Sequence, residues 1–336
     1  MSNYDEEFDE ELEAEEPKKK KFNIFDWYYR DGKGDDIDDI DALKEPTTKN
    51  GFRLAFRKLG KLMSANILFI LGNFPVFFII LAMSGILSES SYAPLNQQWG
   101  ALKGMMLFEQ GAELTGYLSL LGGKVAVNVI NTPTIVFFLL GILVVFTMGF
   151  TKVGTSYIYR NIVLGEPIFP FSDFFYIIKR NWKQAIAFGI IDSLFIAIFV
   201  YNIYFLFANL GASAMNPLML LLTIAMAIVF LVARQYAYLM IFTFDLKLTK
   251  IIKNSLYFVM LGAKRNLAGI GFTILLIALN ALLFFVYMPI GLILPFVITI
   301  AFMDFIGVYC AYPNIDKYMV DHSKNTTDEA GETSAE

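Results

Sequence analysis

Six long apolar runs restrict the fold of this chain more than any other feature of its sequence. A helix needs about 20 predominantly apolar residues to cross the hydrocarbon core of a bilayer, and six such runs follow one another along the 336 residues. The runs are continuous rather than alternating, which predicts helices and not the strands of a barrel. They cover residues 66–87, 134–157, 184–210, 217–243, 267–288 and 290–311.

The composition points to the same class of protein. The chain is 56% hydrophobic and 17% charged, whereas a soluble chain is usually about 45–50% apolar and about 25% charged. A net charge of −4 gives no reason to expect a nucleic-acid partner. We therefore predict an all-α, polytopic membrane protein with six transmembrane helices, and its first expected partners are membrane lipids.

The basic residues predict the orientation of the chain. Twelve Lys and Arg residues precede the first run, whereas the 88–132 connection holds two and the connections at 211–216 and 288–289 hold none. The connections after the second and fourth runs are basic again. Because positively charged loops stay in the cytoplasm, we expect a multi-pass protein of the cell membrane with both termini in the cytoplasm.

Connection lengths predict three hairpins. Two of the three outer connections are very short, so spans three and four, and spans five and six, should pair antiparallel. A stretch that mixes apolar and basic residues precedes each hairpin, and this predicts cytoplasmic helices in the headgroup region. These stretches are Phe52 to Lys61, Phe174 to Lys183 and Lys250 to Arg265. In the second stretch, Ser172 is the expected N-cap, and Phe174, Phe175 and Ile178 are expected to face lipid.

Charge divides the chain into three parts. Residues 1–50 form an acidic and then basic arm that we expect to be largely disordered. Residues 51–315 form the six-helix membrane domain, and residues 316–336 form a polar tail on the cytoplasmic side.

Four ionisable residues lie within the apolar runs: Lys152, Asp192, Arg234 and Asp304. Such a residue costs about 2.5–3.5 kcal/mol at the centre of a membrane helix, so it normally has a partner. The four formal charges sum to zero, and all four residues fall in the predicted cytoplasmic half. We expect a buried ionic cluster that joins the hairpins. The alternatives are snorkelling of Lys152 and Arg234 to the headgroups and a transport or proton path.

A short motif of two basic residues followed by Asn precedes both the third and the fifth apolar run. Its two copies consist of Lys179, Arg180 and Asn181, and of Lys264, Arg265 and Asn266. The spacing of 85 positions predicts a weak internal repeat, although the charge rule alone would also place basic residues there.

The residues that common catalytic sites require are scarce. Cys310 is the only cysteine and His322 the only histidine, and His322 lies in the polar tail. A zinc site needs three or four clustered ligands, and a Ser or Cys triad needs a histidine beside the nucleophile. We therefore expect no catalytic residues, no metal and no cofactor, and a protein that is not an enzyme.

Several motifs together resemble the YesL family of bacterial membrane proteins. The resemblance begins at Phe22-Asn23-Ile24-Phe25-Asp26-Trp27 and covers roughly residues 22–315. It continues through Gly72-Asn73-Phe74-Pro75, Val153-Gly154-Thr155-Ser156-Tyr157, Gly165-Glu166-Pro167, Lys179-Arg180-Asn181-Trp182, Thr243-Phe244-Asp245 and Ala311-Tyr312-Pro313. The acidic arm before Phe22 departs from the family pattern.

The resemblance implies a protein of the bacterial plasma membrane encoded near carbohydrate ABC transporters and glycoside hydrolases, and it implies no catalytic residues. From it we expect an accessory or regulatory component beside a carbohydrate ABC uptake system, whose subunits would be its protein partners. The alternative is a transporter or channel that uses the intramembrane polar cluster. A membrane enzyme ranks third, with Glu166, Asp173 and Asp245 as the available carboxylates.

Overall fold

The computed structural model describes residues 47–84, 86, 89–94, 124–129 and 131–320. The predicted arm of residues 1–50 therefore lies almost entirely outside the described residues. The same holds for most of the 88–132 connection and for most of the polar tail, including His322.

The described residues form eleven α-helices and one two-stranded ribbon. The helices are α1 (Thr48–Arg57), α2 (Leu59–Gly72), α3 (Pro75–Met83), α4 (Thr132–Gly141), α5 (Val144–Leu164), α6 (Pro170–Ala208), α7 (Asn216–Thr243), α8 (Leu248–Leu261), α9 (Ala263–Val286), α10 (Met288–Leu294) and α11 (Ile300–Ile315). Short π-helical segments cover Pro295–Thr299 and Asp316–Val320. The strands β1 (Glu89–Pro94) and β2 (Lys124–Val129) pair antiparallel within the long connection that follows α3.

Five stretches of the described chain are long and apolar enough to cross a membrane. They are Thr132–Leu164, Pro170–Ala208, Asn216–Thr243, Ala263–Val286 and Met288–Val320. The pair of α2 and α3 adds a sixth if its two halves form one span. These stretches confirm the prediction of an all-α polytopic membrane protein that contacts lipid.

The first predicted span differs from the expectation of a single helix over residues 66–87. The axes of α2 and α3 differ by 62°, and the chain turns at Asn73 and Phe74, directly before Pro75. Proline lacks the N–H of the helical hydrogen bond, and its ring clashes with the carbonyl four residues earlier. A proline in this position therefore ends α2 and starts a new helix.

Both halves of this bent pair pack against the following span. The helix α3 lies along α4, with the rings of Phe78 and Phe137 in edge contact at 5.7 Å, and α2 lies along α5. The neighbouring span is itself interrupted between α4 and α5, at Ile142 and Leu143. The bent pair α2 and α3 thus packs along the whole length of the interrupted pair α4 and α5. This packing supports one bent span made of α2 and α3, and a total of six membrane spans.

The helices α5 and α6 approach each other closely where two glycines face each other. A Cβ atom on Gly149 would lie 2.0 Å from the carbonyl oxygen of Ala185, and one on Gly189 would lie 2.6 Å from the Cα of Gly149. Small residues let membrane helices approach until their backbones touch. This contact fixes α6 beside α5 at the level where charged residues occur.

Helices occupy all three stretches predicted to lie before the hairpins. They are α1, the first part of α6, and α8. The helix α6 leaves helical geometry at Asn181 (φ −118°, ψ 19°), where its first part ends and its membrane span begins. The prediction for Phe174 is wrong, because its ring is buried against Gly154, and exposed Phe171 and Phe175 flank it. The prediction for Ser172 is also wrong.

The start of α6 shows why Ser172 is not the cap. The helix begins at Pro170, whose missing N–H costs nothing in the first turn, and Phe169 is therefore the N-cap residue. The backbone N–H of Phe169 donates to the Asp173 carboxylate at 2.8 Å. Asp173 thus acts in the first turn, as expected of an acidic residue there.

The buried core lies at one end of the bundle, which we call the basic end because Lys179, Arg180, Lys264 and Arg265 lie there. Its largest fully buried side chains include Tyr159, Ile162, Tyr236, Tyr238, Leu239, Met240 and Phe305. Toward the opposite end the spans separate: in the most apolar 18-residue windows of α7 and α9, only 6% of the residues are buried. Close packing between the described spans is therefore concentrated near the basic end.

Asn66 connects the first span to the interruption in the last one. Its Nδ2 donates to the carbonyl oxygens of Pro295 (3.0 Å) and Phe296 (2.6 Å), and its Oδ1 accepts from the backbone N–H of Ala301 (2.9 Å). The segment Pro295–Thr299 is π-helical, with backbone hydrogen bonds over five residues instead of four. The buried amide of Asn66 adds three hydrogen bonds to the backbone in and just after this segment, so it stabilises both the break and the contact between α2 and α11.

We expect Asn66→Leu to lower the free energy of unfolding by about 1–3 kcal/mol, because three interhelical hydrogen bonds of a buried amide are lost. Denaturant unfolding in mixed micelles measures this change. The matched control is Asn202→Leu, since Asn202 donates to the Ile198 carbonyl of its own helix. Equal losses in the two variants would contradict the assignment.

Candidate functional site: the intramembrane charge cluster

The four charged residues predicted from the sequence lie on four different helices at one level of the bundle. Lys152 is on α5, Asp192 on α6, Arg234 on α7 and Asp304 on α11. Each lies about three helical turns from the basic end, counting from the helix end or from the break at Asn181. Helices that pack side by side therefore bring all four side chains together.

Arg234 and Asp192 form a bidentate ion pair between α7 and α6. The Nε of Arg234 lies 2.8 Å from Oδ1 of Asp192, and its Nη2 lies 2.6 Å from Oδ2. The hydroxyl of Tyr238 also donates to Oδ2, at 2.7 Å. The Asp192 side chain is 0% exposed. Two parallel charge-assisted bonds and a third donor compensate a carboxylate that has lost all of its water.

Lys152 and Asp304 form the second ion pair, between α5 and α11. The Nζ of Lys152 lies 2.5 Å from Oδ1 of Asp304, and the amide Nε2 of Gln235 donates to the same oxygen at 3.3 Å. The ammonium group also lies 5.3 Å from the centre of the Phe69 ring, within the range of a cation–π contact. The side chains are 4% and 13% exposed.

The two pairs differ in one respect that matters for chemistry. Both oxygens of Asp192 accept hydrogen bonds, whereas Oδ2 of Asp304 is buried and has no donor within the described part of the chain. A buried acceptor without a donor keeps its full desolvation penalty. Asp304 is therefore the member of the cluster with capacity for another ligand.

The cluster as a whole is electrically neutral and links the helices. One pair joins α6 to α7, the other joins α5 to α11, and Gln235 on α7 contacts the second pair. The side chains of Lys152 and Arg234 reach these carboxylates instead of extending along their helices to the headgroups. Of the three interpretations open at the sequence level, this geometry favours pairing over snorkelling.

Sequence reasoning missed Tyr238, Gln235 and Phe69 as members of the cluster. Tyr238 follows Arg234 by four residues, which places both on one helix face, so the spacing could have identified it. Gln235 is a polar residue in an apolar span and could have been found in the same way. Nothing in the sequence distinguishes Phe69 from the many other aromatic residues of the spans.

The second copy of the repeated motif connects three helices at the basic end. Asn266 accepts from the Tyr236 hydroxyl at 2.8 Å and donates to the Val259 carbonyl at 3.0 Å, and the Asn314 amide donates to the same Tyr236 hydroxyl at 2.8 Å. Arg265 donates to the backbone carbonyl of Tyr309 at 2.8 Å. These bonds tie α7, α9 and α11 together.

The first copy has a different role, although it occupies a matching position. The amide of Asn181 donates to the Ile177 carbonyl of its own helix at 3.1 Å, at the break in α6. Lys179 and Arg180 are exposed, as is Lys264 in the second copy. Both copies thus mark the change from a preceding helix to a span, but within the described part of the chain only the second copy forms hydrogen bonds between spans.

A cavity of about 390 Å³ borders the charge cluster. Its walls come from α7, α9 and α11, and its polar lining consists of Arg234, Gln235, Tyr236, Asn266, Thr273 and Asp304. Among the described residues, no group of three His, Cys, Asp or Glu side chains could hold a metal ion. Asp304 contributes the only carboxylate among the residues that line the cavity.

Fold and cluster together define the class: an all-α, polytopic membrane protein with paired charges inside its bundle. Comparison with protein-family models, with curated proteins and with solved structures gives no match.

We expect Asp192→Ala to destabilise the protein by about 3–5 kcal/mol, because it leaves the Arg234 charge buried without its partner. The matched control is Ser193→Ala, since the neighbouring Ser193 hydroxyl has no hydrogen-bond partner among the described residues. The yield of monodisperse protein and its unfolding midpoint in mild detergent measure both effects. Equal behaviour of the two variants would rule out a structural role for the pair.

Proposed function

We propose that this protein is a non-enzymatic accessory or regulatory component that works beside a carbohydrate ABC uptake system in the bacterial plasma membrane. In this proposal both termini are cytoplasmic, and the basic end of the bundle faces the cytoplasm because of its lysines and arginines. The resemblance to the YesL family supports the proposal, through the motifs quoted above.

The pairing of the charges in the cluster supports this role. All four intramembrane charges are engaged with each other across four helices, which is the arrangement expected of a stable scaffold. Removal of one partner from a buried ion pair is strongly destabilising. These pairs therefore hold α5, α6, α7 and α11 in one arrangement. A rigid bundle of this kind can present a surface to a partner without moving charge across the membrane.

The surface that we propose for partner binding is the first part of α6 with the turn that follows. Phe171, Phe175 and Trp182 are exposed there, and the Nζ of Lys183 lies 5.7 Å from the centre of the Trp182 ring. Lys179 lies exposed on the same segment. Aromatic side chains supply much of the binding energy in protein interfaces. Their position at the basic end suits contact with subunits at the cytoplasmic face.

The test is affinity purification of the tagged full chain from its native membrane in mild detergent. We expect subunits of a carbohydrate ABC transporter among the recovered proteins. The double variant Phe175→Ala/Trp182→Ala should recover at least about tenfold less of them, since loss of two interface aromatics exceeds about 1.4 kcal/mol. The double variant Tyr201→Ala/Tyr204→Ala, which changes exposed aromatics at the other end of α6, should recover them as the wild type does.

Two results would count against the proposal. Failure to recover any permease, ATPase or binding protein of a carbohydrate transporter would remove the proposed function itself. Recovery of such subunits with an equal yield from both double variants would show that the first part of α6 is not the contact surface.

A transporter or channel is the second candidate, and the observation that favours it is the cavity bordered by Arg234 and Asp304. Substrate flux into liposomes that contain this protein alone would support the second candidate. The flux should then be lost in Asp304→Asn, and flux that this change leaves unaltered would exclude a route through the cluster.

A further inference from the structure

The cavity beside the charge cluster is a groove that opens toward lipid. Its walls α7 and α9 meet at the basic end, where the Tyr236 hydroxyl bonds Asn266, and α11 forms the floor through Asp304 and Gly307. Away from that end the lining residues Leu231 and Ile274 are exposed. The volume of about 390 Å³ falls within the range of about 300–1,000 Å³ that is typical of small-molecule sites.

The lining changes from polar to apolar along the groove. Gln235 and Asp304 lie toward the basic end, with Tyr236 and Asn266 beyond them, whereas Ile228 and Ile277 line the part nearer the middle of the bundle. A lipid in the leaflet at the basic end changes from polar to apolar in the same direction as the groove, because its polar group faces outward and its chains extend toward the bilayer centre. The groove therefore matches an amphiphile that enters sideways from that leaflet.

The polar part of the groove determines which headgroup fits. Asp304 Oδ2 is a buried acceptor without a donor among the described residues, and it belongs to a side chain that lines the groove. A carboxylate oxygen accepts hydrogen bonds only, so the ligand has to supply a donor. Because the cluster is already neutral, an added ionic group would remain an uncompensated charge in a low-dielectric site.

We propose that this groove binds an uncharged, hydroxyl-bearing amphiphile of the lipid type. Its hydroxyl donates to the Asp304 carboxylate, whose side chain turns Oδ2 toward the groove, while its chain lies along Leu231, Ile274 and Ile277. The hydroxyl satisfies the buried Asp304 acceptor that the described residues leave without a donor, and the apolar wall buries part of the chain. The proposed lipid site does not depend on any protein partner, so its test is separate from the test of the accessory role.

The experiment uses the full chain in nanodiscs of phosphatidylcholine, whose headgroup has no hydrogen-bond donor. The probe is a diacylglycerol that carries a diazirine in one acyl chain, and the sites of photolabelling are mapped by mass spectrometry. The competitors are dioleoylglycerol, which has the free hydroxyl, and its acetyl ester, which lacks it. We expect labelling of α7, α9 and α11, with the acetyl ester competing about tenfold less well, as expected for one lost interaction of about 1.4 kcal/mol.

A pair of neighbouring substitutions separates the groove from the rest of the lipid-facing surface. Ile274 lines the groove and is 58% exposed, whereas Leu275 is 61% exposed and lies outside the lining. Ile274→Trp should fill the groove and reduce labelling there about tenfold, by the same conversion. Leu275→Trp should leave labelling at the wild-type level.

Three outcomes would overturn the proposal. Labelling spread evenly over all spans would show contact with bulk lipid only. Equal competition by dioleoylglycerol and its acetyl ester on the wild-type protein would remove the role of the hydroxyl, and this comparison needs no variant to fold. Absence of labelling in the groove would favour a different occupant, such as the membrane helix of a partner.

Discussion

A bilayer cannot solvate an isolated charge, and this constraint governs the packed half of the protein. Lys152, Asp192, Arg234 and Asp304 are tolerated at membrane depth because each lies within 2.5–2.8 Å of an opposite charge. Every pair takes its partners from two different helices. The need to neutralise these charges therefore decides which helices are neighbours, and it links α5 to α11 and α6 to α7.

Other features of the packed half make these pairs possible. The facing glycines 149 and 189 bring α6 against α5, and the amide of Asn66 supports the interrupted helix that carries Asp304. Tyr236, Asn266 and Asn314 close the basic end through hydrogen bonds between side chains. The spans separate beyond this region, and the groove between α7 and α9 is a result of that separation.

The sequence predicted the parts of the structure that depend on local composition. Continuous apolar runs predicted the spans, and the scarcity of ionisable residues within them identified all four charged residues of the cluster, although not Tyr238, Gln235 and Phe69. The assignment of partners is a different matter, because Asp192 and Arg234 are 42 positions apart and Lys152 and Asp304 are 152 positions apart. Only the packed helices decide which carboxylate each cation meets.

Two further differences between the predicted and the observed structure have a physical cause. The break before Pro75 could have been expected from its missing donor, but the 62° angle depends on the neighbouring interrupted span. Phe174 is buried because the space beside Gly154, which has no side chain, accommodates its ring. Its hydrophobicity would suit it equally well to a position facing lipid. Apolar residues face either lipid or protein within a membrane, so hydropathy alone does not separate the two environments.

The most direct test of the account is an exchange of charges between partners, measured as the yield of monodisperse protein and its unfolding midpoint. The double variant Asp192→Lys/Arg234→Asp exchanges charges within one pair, whereas Asp192→Lys/Lys152→Asp has the same net charge but places like charges together in both pairs. The account predicts that the first variant recovers much of the stability lost by Asp192→Lys alone and that the second recovers none. Equal yields and midpoints for the two double variants would contradict it.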